Sequence, residues 1–405
     1  MSCQETNKKS AFKIEYCHEK NNPQWDAFVH EVNGALFQTS AWANYEYQYY
    51  GWNSVRFFVK NEETMVAGCQ ITIINDDLMG NIGIIRSGPC FKIKTPEMIS
   101  LVVNEMKKSI QLLNLFYLKV NPDFNEHDLV AILKNEKFES PLPNLPPYRI
   151  QNTYMSTLFL DLTQSNDELF QQMTTMRRRG IKKGLKSPYK MILGDRDDLK
   201  SFFELYHFTS RRFKCVTPVI HKRMDWYPTL ESYDELCKLW NELSPCGWIK
   251  IFLCTVENEP ICGALAFTFG NTFRYSKWGW NLKYPEFHLS EAIQWEMIQW
   301  AKANDFQYYD FCDIDYEVVE AYRSSDEIPD ALKARGFYGP TIFKIHFGGN
   351  ITKGSGRYIL YSDKMKHLIK TSNEELNLLL KHSKDSFWAK KFFSRARQEL
   401  IMFDN

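Results

Sequence analysis

The chain has 405 residues, of which 44% are hydrophobic, 15% aromatic and 24% charged, and its formal net charge is +1. This composition excludes a disordered chain, and the near-zero charge excludes a global basic field for nucleic acid. At roughly 100–200 residues per domain, the length predicts two domains. The amino terminus is polar and no stretch reaches the roughly 18 apolar residues of a membrane span, so we expect a cytoplasmic protein without a transmembrane segment.

Cysteines and histidines give no sign of a metal site. Ten cysteines and nine histidines are present, but none form a C-x-x-C, H-E-x-x-H or H-x-x-x-H set, which are common ligand spacings. Several cysteines lie in apolar runs such as 251–255 and 260–265, where a thiol behaves as a small hydrophobic side chain. We therefore predict neither a metal nor disulfide bonds.

The sequence of the first half of the chain predicts strands and helices in a mixed α/β order. An aromatic-rich, partly helical run at 37–52 is followed by a hairpin at 55–74, a strand at 83–89, an amphipathic helix at 96–113 and a buried strand at 115–122. The proline-dense segment 141–147 is the candidate boundary between domains.

The segment 176–190, MRRRGIKKGLKSPYK, is the strongest local charge signal, with seven Lys or Arg among fifteen residues. It predicts a positive face that attracts the phosphates of a nucleotide, a lipid head group or RNA. A solvated helix face is the alternative. A helix predicted at 203–213 follows, and its Arg211 and Arg212 either bind the same anion or lie on the surface. The phosphate-binding candidates in the run are Arg177, Arg178, Arg179, Lys182 and Lys183.

The second half repeats the order of the first. It predicts a hairpin at 249–270, a strand at 272–280, a helix at 289–304 and a strand at 306–315. Each hairpin carries a glycine early in its second strand, which is typical of a bulge or a close backbone approach. An internal duplication over about 190 residues predicts two similar α/β lobes.

The last part of the chain yields two predictions. The alternation in TIFKIHFGG at 341–349 predicts a strand with Lys344 on the face opposite Phe343 and Ile345. Residues 362–404 predict two helices in which basic and aromatic residues interleave. Two interpretations of this segment stay open. It is either an amphipathic helix that packs on the rest of the protein or a tail that contacts RNA or a membrane.

Together these segments resemble the FemABX family, the aminoacyl-tRNA-dependent peptidyltransferases of cell-wall bridge synthesis, over residues 36 to 350. The most specific stretch is SEAIQWEMIQWAKANDFQYYDFCDID at 290–315, which is similar to the family's helix ending in I-x-W-A and strand with Y-D-[LF]-G-G. Supporting matches are F-Q-T-S-x-W at 37–42, S-G-P at 87–89, K-V-N-P at 119–122, the basic run at 178–183 and F-K-x-x-F-G-G at 343–349.

The resemblance implies an α/β fold of two tandem GNAT-like acyltransferase lobes with mixed sheets. The first lobe is expected at 1–150, completed by part of 346–362, and the second at 151–345. A helical C-terminal tail is expected at 363–405.

The resemblance also implies roles for single residues. Phe343 and Lys344 match the family's catalytic pair, which holds the tRNA acceptor end and the transition state. Arg212 matches an arginine that contacts the diphosphate of the sugar nucleotide.

Two positions depart from the family pattern. Asn121 stands where the family has an acid proposed as base, and Glu46, four residues after Trp42, stands where it has a lysine. These departures favour a peptide, amino-sugar or natural-product acceptor over a wall precursor. The predicted substrate-binding residues are therefore Trp42, Glu46, Asn121, Arg211, Arg212 and Asp310.

The implied function is transfer of an aminoacyl group from aminoacyl-tRNA to the amine of a peptide, muropeptide or small-molecule acceptor, with no cofactor. Two alternatives stay open. One is a CoA-dependent N-acyltransferase using acetyl-CoA, although Lys182 replaces the second glycine of an R-x-x-G-x-G turn. The other is a non-catalytic scaffold that binds RNA or a protein. A peripheral membrane contact also stays open.

Overall fold

The computed structural model describes residues 12–76, 80–141, 156–216, 230, 232–324 and 327–371. They fall into two compact units, the first from residues before 146 and after 356, and the second from the residues in between. Most of the proline-dense segment, and residues 372–405 of the predicted tail, lie outside the described residues.

The first unit is a mixed sheet flanked by helices. Its strands are β1 Phe12–Cys17, β2 Asn53–Asn61, β3 Thr64–Asp76, β4 Gly80–Arg86, β5 Cys90–Phe91, β6 Leu115–Asn121 and β14 Tyr358–Tyr361. Its helices are α1 Pro23–Glu31, α2 Ser40–Tyr50, α3 Pro96–Leu112, α4 His127–Asn135 and α13 Asp363–Thr371.

Local sequence sets where these helices begin. The side chains of Asn22, Thr39 and Thr95 each accept a hydrogen bond from a backbone N–H in the first turn of α1, α2 and α3. One face of the sheet then buries apolar residues against α3 and α4. These include Cys69, Ile71, Ile85, Leu118 and Val120 from the strands and Met98, Val102, Val103, Met106 and Leu129 from the helices. The opposite face of β6 carries the polar side chains of Lys119 and Asn121.

The second unit is a second mixed sheet. Its strands are β7 Ser156–Asp161, β8 Lys190–Gly194, β9 Ile249–Val256, β10 Glu259–Phe269, β11 Thr272–Trp280, β12 Tyr308–Asp310 and β13 Asn350–Lys353. Its helices are α5 Asn166–Gln171, α6 Thr175–Gly184, α7 Leu199–Val216, α8 Tyr233–Leu243, α9 Leu289–Ala303, α10 Tyr316–Ser324, α11 Asp330–Lys333 and α12 Tyr338–Ile345.

The two sheets have the same strand order, as the internal repeat predicts. The first runs β1-β2-β3-β4-β6-β14, and the second runs β8-β9-β10-β11-β12-β7 before adding β13. In each, the pair that follows the hairpin is parallel, β4 with β6 and β11 with β12, and a helix connects them. Gly68 and Gly263 occupy matching places, where a Cβ would collide with a side chain and the backbone of the neighbouring strand. The predicted α/β class with two mixed sheets is confirmed.

One predicted strand is wrong in the structure, and another is shorter than predicted. Residues 341–345 form the second half of helix α12 instead of a strand. The buried residues of this helix, Thr341 and Lys344, are three positions apart, as one helix face requires. Gly348 and Gly349, with φ of +81° and +86°, then turn the chain into β13. The strand predicted at 306–315 is shortened to β12, because Cys312 adopts φ of +54°.

Replacing Gly279 of β11 with alanine tests the close approach of α7 to the sheet. A Cβ there would meet the backbone of Leu205 and Tyr206, so we expect the free energy of unfolding to fall by about 1–3 kcal/mol or more. Gly339→Ala in α12 is the matched control, because a Cβ there has nothing within 4 Å. Equal midpoints of urea unfolding for the two variants would contradict this packing.

Candidate active site

In the second unit, the fully buried carboxylate of Asp310 holds the end of β12 in place. Its Oδ2 accepts from Arg274 Nε at 2.8 Å, and its Oδ1 accepts from the backbone N–H of Cys312 at 2.8 Å and from the Thr157 hydroxyl. Both oxygens of this predicted substrate-binding residue are therefore engaged by β7, β11 and the turn that follows β12.

That turn presents two backbone carbonyls to Lys344. The positive φ of Cys312 is an uncommon conformation for a residue with a side chain, and the hydrogen bond to Asp310 stabilises it. Lys344 Nζ donates to the carbonyl of Cys312 at 3.1 Å and to that of Asp313 at 2.8 Å. The predicted catalytic lysine is thus buried, 8% exposed, rather than on the wet face of an edge strand.

The charges near this turn form a lysine–aspartate cluster of Lys277, Asp313 and Lys344. Burial lowers the pKa of Lys344, and it lowers the pKa of Lys277 on β11 to about 8. The nearby charge of Asp313 acts in the opposite direction and raises the pKa of both lysines. Burial raises the pKa of Asp313 to about 6, although the two lysines oppose that rise. The cluster therefore contains groups that titrate on either side of neutral pH.

Phe343, the other predicted catalytic residue, lies beside a buried arginine of the basic run. The guanidinium of Arg177 lies 4.1 Å from the centroid of the Phe343 ring and 4.5 Å from that of Phe347. Its Nη2 donates to the Phe343 carbonyl at 2.9 Å, and its Nη1 is 3.3 Å from Glu291. Burial lowers the pKa of Arg177 to about 10, against the effect of Glu291. Arg177 therefore packs against α12 in the interior of the second unit and stabilises the position of this helix.

The other basic residues divide by position. Arg178 donates to the carbonyls of Gln171 and Met173 at 2.8 and 2.7 Å, where α5 ends. The side chains of Arg179, Lys182 and Lys183 on α6 are exposed, and so are those of Arg211 and Arg212 late in α7. Phosphate binding by these exposed cations stays a prediction.

In the first unit, Glu46 on α2 is paired with a cation that the sequence analysis missed. Glu46 is 1% exposed, accepts from Trp42 Nε1 at 2.9 Å and from the Thr72 hydroxyl at 3.2 Å, and forms an ion pair with Arg86 at the end of β4. The carboxylate that stands where the family has a lysine is therefore paired with an arginine inside the unit. Arg86 could have been found from its place as the only charged residue in the strand GNIGIIR.

Asn121 ends β6 and is 1% exposed, but neither atom of its side-chain amide has a hydrogen-bond partner among the residues that the structure describes. It lies beside Arg86 in the parallel register and two residues from Lys119, whose pKa is lowered to about 8 by burial and by Arg357 and Arg86. The sequence could have indicated this buried lysine, because Lys119 is the only charged residue in the strand LFYLKVN.

Comparisons with known proteins match both units. The FemAB family model matches residues 21–139, and the model of an acetyltransferase (GNAT) domain matches residues 171–322. A lipid II:glycine glycyltransferase of Staphylococcus epidermidis is 22% identical over 404 residues, covering 86% of this chain and 93% of that protein. The protein of the same name from Staphylococcus haemolyticus is 24% identical over 248 residues, 59% of this chain and 55% of its own length.

Solved structures share the fold. The crystal structure of FemX has a TM-score of 0.70 at 18% identity, covering 88% of this chain and 99% of that one. The structure of L-PGS from Bacillus licheniformis has a TM-score of 0.51 at 11% identity, covering 89% and 98%.

The repeated sheet and these matches place the chain in the class of α/β proteins built from two GNAT-like units. Within that class, the FemAB match and the glycyltransferase relatives confirm the predicted resemblance, and the chain is FemABX-like.

Two further findings concern the described residues alone. None of their helices is long and apolar enough to cross a bilayer. Among the same residues, no group of three His, Cys, Asp or Glu side chains is arranged to hold a metal ion.

The buried pair of Glu46 and Arg86 can be tested by a double-mutant cycle. Glu46→Gln leaves the arginine charge without its partner, and Arg86→Met does the same to the carboxylate, so each should cost about 3–5 kcal/mol of unfolding free energy. The double variant should cost less than the sum of the two. Urea unfolding measures all three, and strict additivity would contradict a direct pair.

Proposed function

We propose that the chain transfers an aminoacyl group from aminoacyl-tRNA to the amine of an acceptor and forms an amide bond. The observation that carries the proposal is the placement of Lys344. An ammonium group has three N–H donors, and the carbonyls of Cys312 and Asp313 engage two of them. The third can stabilise an oxyanion, and it does so from an interior where such a charge acts strongly.

The reaction follows from these parts. The acceptor amine attacks the ester carbonyl of the aminoacyl-tRNA, and Lys344 stabilises the negative charge that develops on the carbonyl oxygen. The bond to the ribose oxygen then breaks, that oxygen takes up a proton, and the amine nitrogen, having lost one, becomes the amide nitrogen. The exchange of an ester for an amide is downhill, so the enzyme's main contributions are placement and charge stabilisation.

Charge and similarity both support tRNA as the donor. Arg179, Lys182 and Lys183 present cations along the exposed part of α6, which suits the phosphates of an RNA. The relatives are named for glycine transfer rather than acetyl transfer. A donor of this kind places the reaction in the cytoplasm.

The acceptor belongs to one of three classes, a peptide, a muropeptide or a natural-product intermediate. The names of the relatives refer to lipid II, and they support a muropeptide among the three. A lipid-linked acceptor would also account for a peripheral membrane contact.

Donor choice is the direct test of the proposal. The full chain is incubated with an amine panel and either tRNA charged with labelled amino acids or acetyl-CoA, and amide products are measured by mass spectrometry. We expect product with charged tRNA alone. Product with acetyl-CoA alone would assign the CoA-dependent alternative, and transfer from neither donor would favour a binding scaffold.

Lys344→Ala should lower kcat by about 10²–10³-fold, because it removes a donor aimed at the oxyanion. Lys302→Ala is the matched control, since Lys302 Nζ also donates to two backbone carbonyls, those of Leu162 and Gln164, at 2.8 and 2.7 Å. The control should keep kcat. Unchanged turnover in Lys344→Ala, or equal losses in both variants, would contradict the catalytic role.

The lysine–aspartate cluster predicts that kcat depends on pH on the alkaline side. Activity should fall above about pH 8, because Lys277 loses its proton and the site loses positive charge. In Asp313→Asn this fall should begin at lower pH, because the Asp313 carboxylate raises the pKa of both Lys277 and Lys344. A flat profile in the unmodified chain would contradict this electrostatic role.

A further inference from the structure

The end of β12 and the turn after it carry two carboxylates, and these differ in what they bind. The two oxygens of Asp310, which is fully buried, accept from Arg274, Thr157 and a backbone N–H. Asp313 is only partly buried, and no donor among the described residues makes a hydrogen bond or an ion pair with its carboxylate. Of the two carboxylates, only that of Asp313 can therefore take up a proton without breaking an existing bond.

The parallel pairing of β11 with β12 ends just before Asp313. The last pair in register is Arg274 with Asp310, and Lys277 and Asp313 each stand three residues further along. A shift in the pairing of β10 with β11 falls immediately before Lys277, and such irregularities re-aim side chains. The charges of Lys277 and Lys344 both act on the Asp313 carboxylate. This carboxylate therefore lies near two ammonium groups at the point where strand pairing ends.

Lys344 would bring the reacting groups to this carboxylate. Its Nζ donates to the backbone carbonyl of Asp313 at 2.8 Å, so the ammonium group binds the same residue that carries the carboxylate. An acyl carbonyl bound to the third N–H of Lys344 would lie against the same turn. The acceptor nitrogen attacks the carbon of that carbonyl, one bond from the oxygen, so its proton would be released close to Asp313.

The surroundings of Asp313 set its affinity for a proton. Burial raises the pKa of its carboxyl to about 6, and the carboxylate of Asp310 acts in the same direction. The cations Lys344, Lys277 and Arg274 oppose this rise. A base is most effective when its pKa lies near the working pH, because it is then ionised and still holds a proton well. At neutral pH, Asp313 meets both conditions.

We propose that Asp313 is the general base that takes the proton from the attacking amine. This role rests on the proposed function and supplies the proton transfer that the reaction needs. The nitrogen of the neutral amine forms a bond to the ester carbon, and its surplus proton passes to the Asp313 carboxylate. The bond to the ribose oxygen then breaks, Asp313 gives the proton to that oxygen, and the carboxylate is regenerated.

Asp313→Asn tests the proposal, because an amide keeps the shape of the carboxyl group but accepts no proton. We measure kcat for transfer from charged tRNA to a saturating amine in both chains, from about pH 5 to about pH 8. The variant should lose about 10²–10⁴-fold at neutral pH. The two rates should converge below pH 6, where Asp313 of the unmodified chain is itself protonated. Their ratio cancels the ionisation of the amine, which both reactions share.

Asp315→Asn is the matched control. The Asp315 carboxylate lies two residues further along the chain, but it accepts from Arg335 and from the backbone N–H groups of Glu317 and Val318. This variant should keep kcat. Asp313→Glu, which retains a carboxylate on a longer side chain, should recover part of the rate that Asp313→Asn loses. Thermal unfolding of each variant checks that the fold is kept.

Three results would overturn the general base. They are a ratio of the two rates that stays constant with pH, a loss confined to the alkaline side, and equal losses in Asp313→Asn and Asp315→Asn. A loss confined to the alkaline side would assign Asp313 a purely electrostatic effect on the lysines. In each case the unmodified chain still transfers, so the proposed function stands. An unmodified chain that transfers nothing from charged tRNA would contradict the proposed function, and the general base would fall with it.

Discussion

In the second unit, the buried carboxylate of Asp310 binds Arg274, Thr157 and the backbone N–H of Cys312 at one point. A buried carboxylate is stable only when paired, so three sheet elements must converge on it. Their convergence stabilises the left-handed conformation of Cys312, which turns two carbonyls toward α12. The position of Lys344, and with it any role in transfer, depends on this carboxylate.

The same strand order carries different polar side chains in the two units. In the second, the residues after the parallel strand β12 present carbonyls that hold a lysine. In the first, the corresponding strand β6 carries Lys119 and ends on Asn121, which is paired in the parallel register with Arg86 of β4. A duplicated sheet thus supplies the same edge twice, with different side chains at that edge in each unit.

Much of the fold could be predicted because period and turn residues are local signals. Alternation and helical spacing predict both hairpins, the connecting helices and the repeat. The prediction for the α12 segment is wrong because T-I-F-K-I alternates over too few residues to separate a strand from one helical turn. The Glu46–Arg86 pair and the lysine–aspartate cluster join residues far apart in sequence, so no local pattern indicates them. For the same reason, the sequence does not indicate that Lys119 and Lys277 are buried.

If Lys344 stabilises the oxyanion of the transfer step, its ammonium group must meet the acyl carbonyl of the donor. A crystal structure of the full chain with a 3′-amide-linked aminoacyl-adenosine, a stable mimic of the charged tRNA end, would show this contact. We expect the carbonyl oxygen within hydrogen-bond distance of Lys344 Nζ, about 2.7–3.2 Å, while the bonds to Cys312 and Asp313 persist. An analogue bound elsewhere, with Lys344 touching only those two carbonyls, would contradict this role.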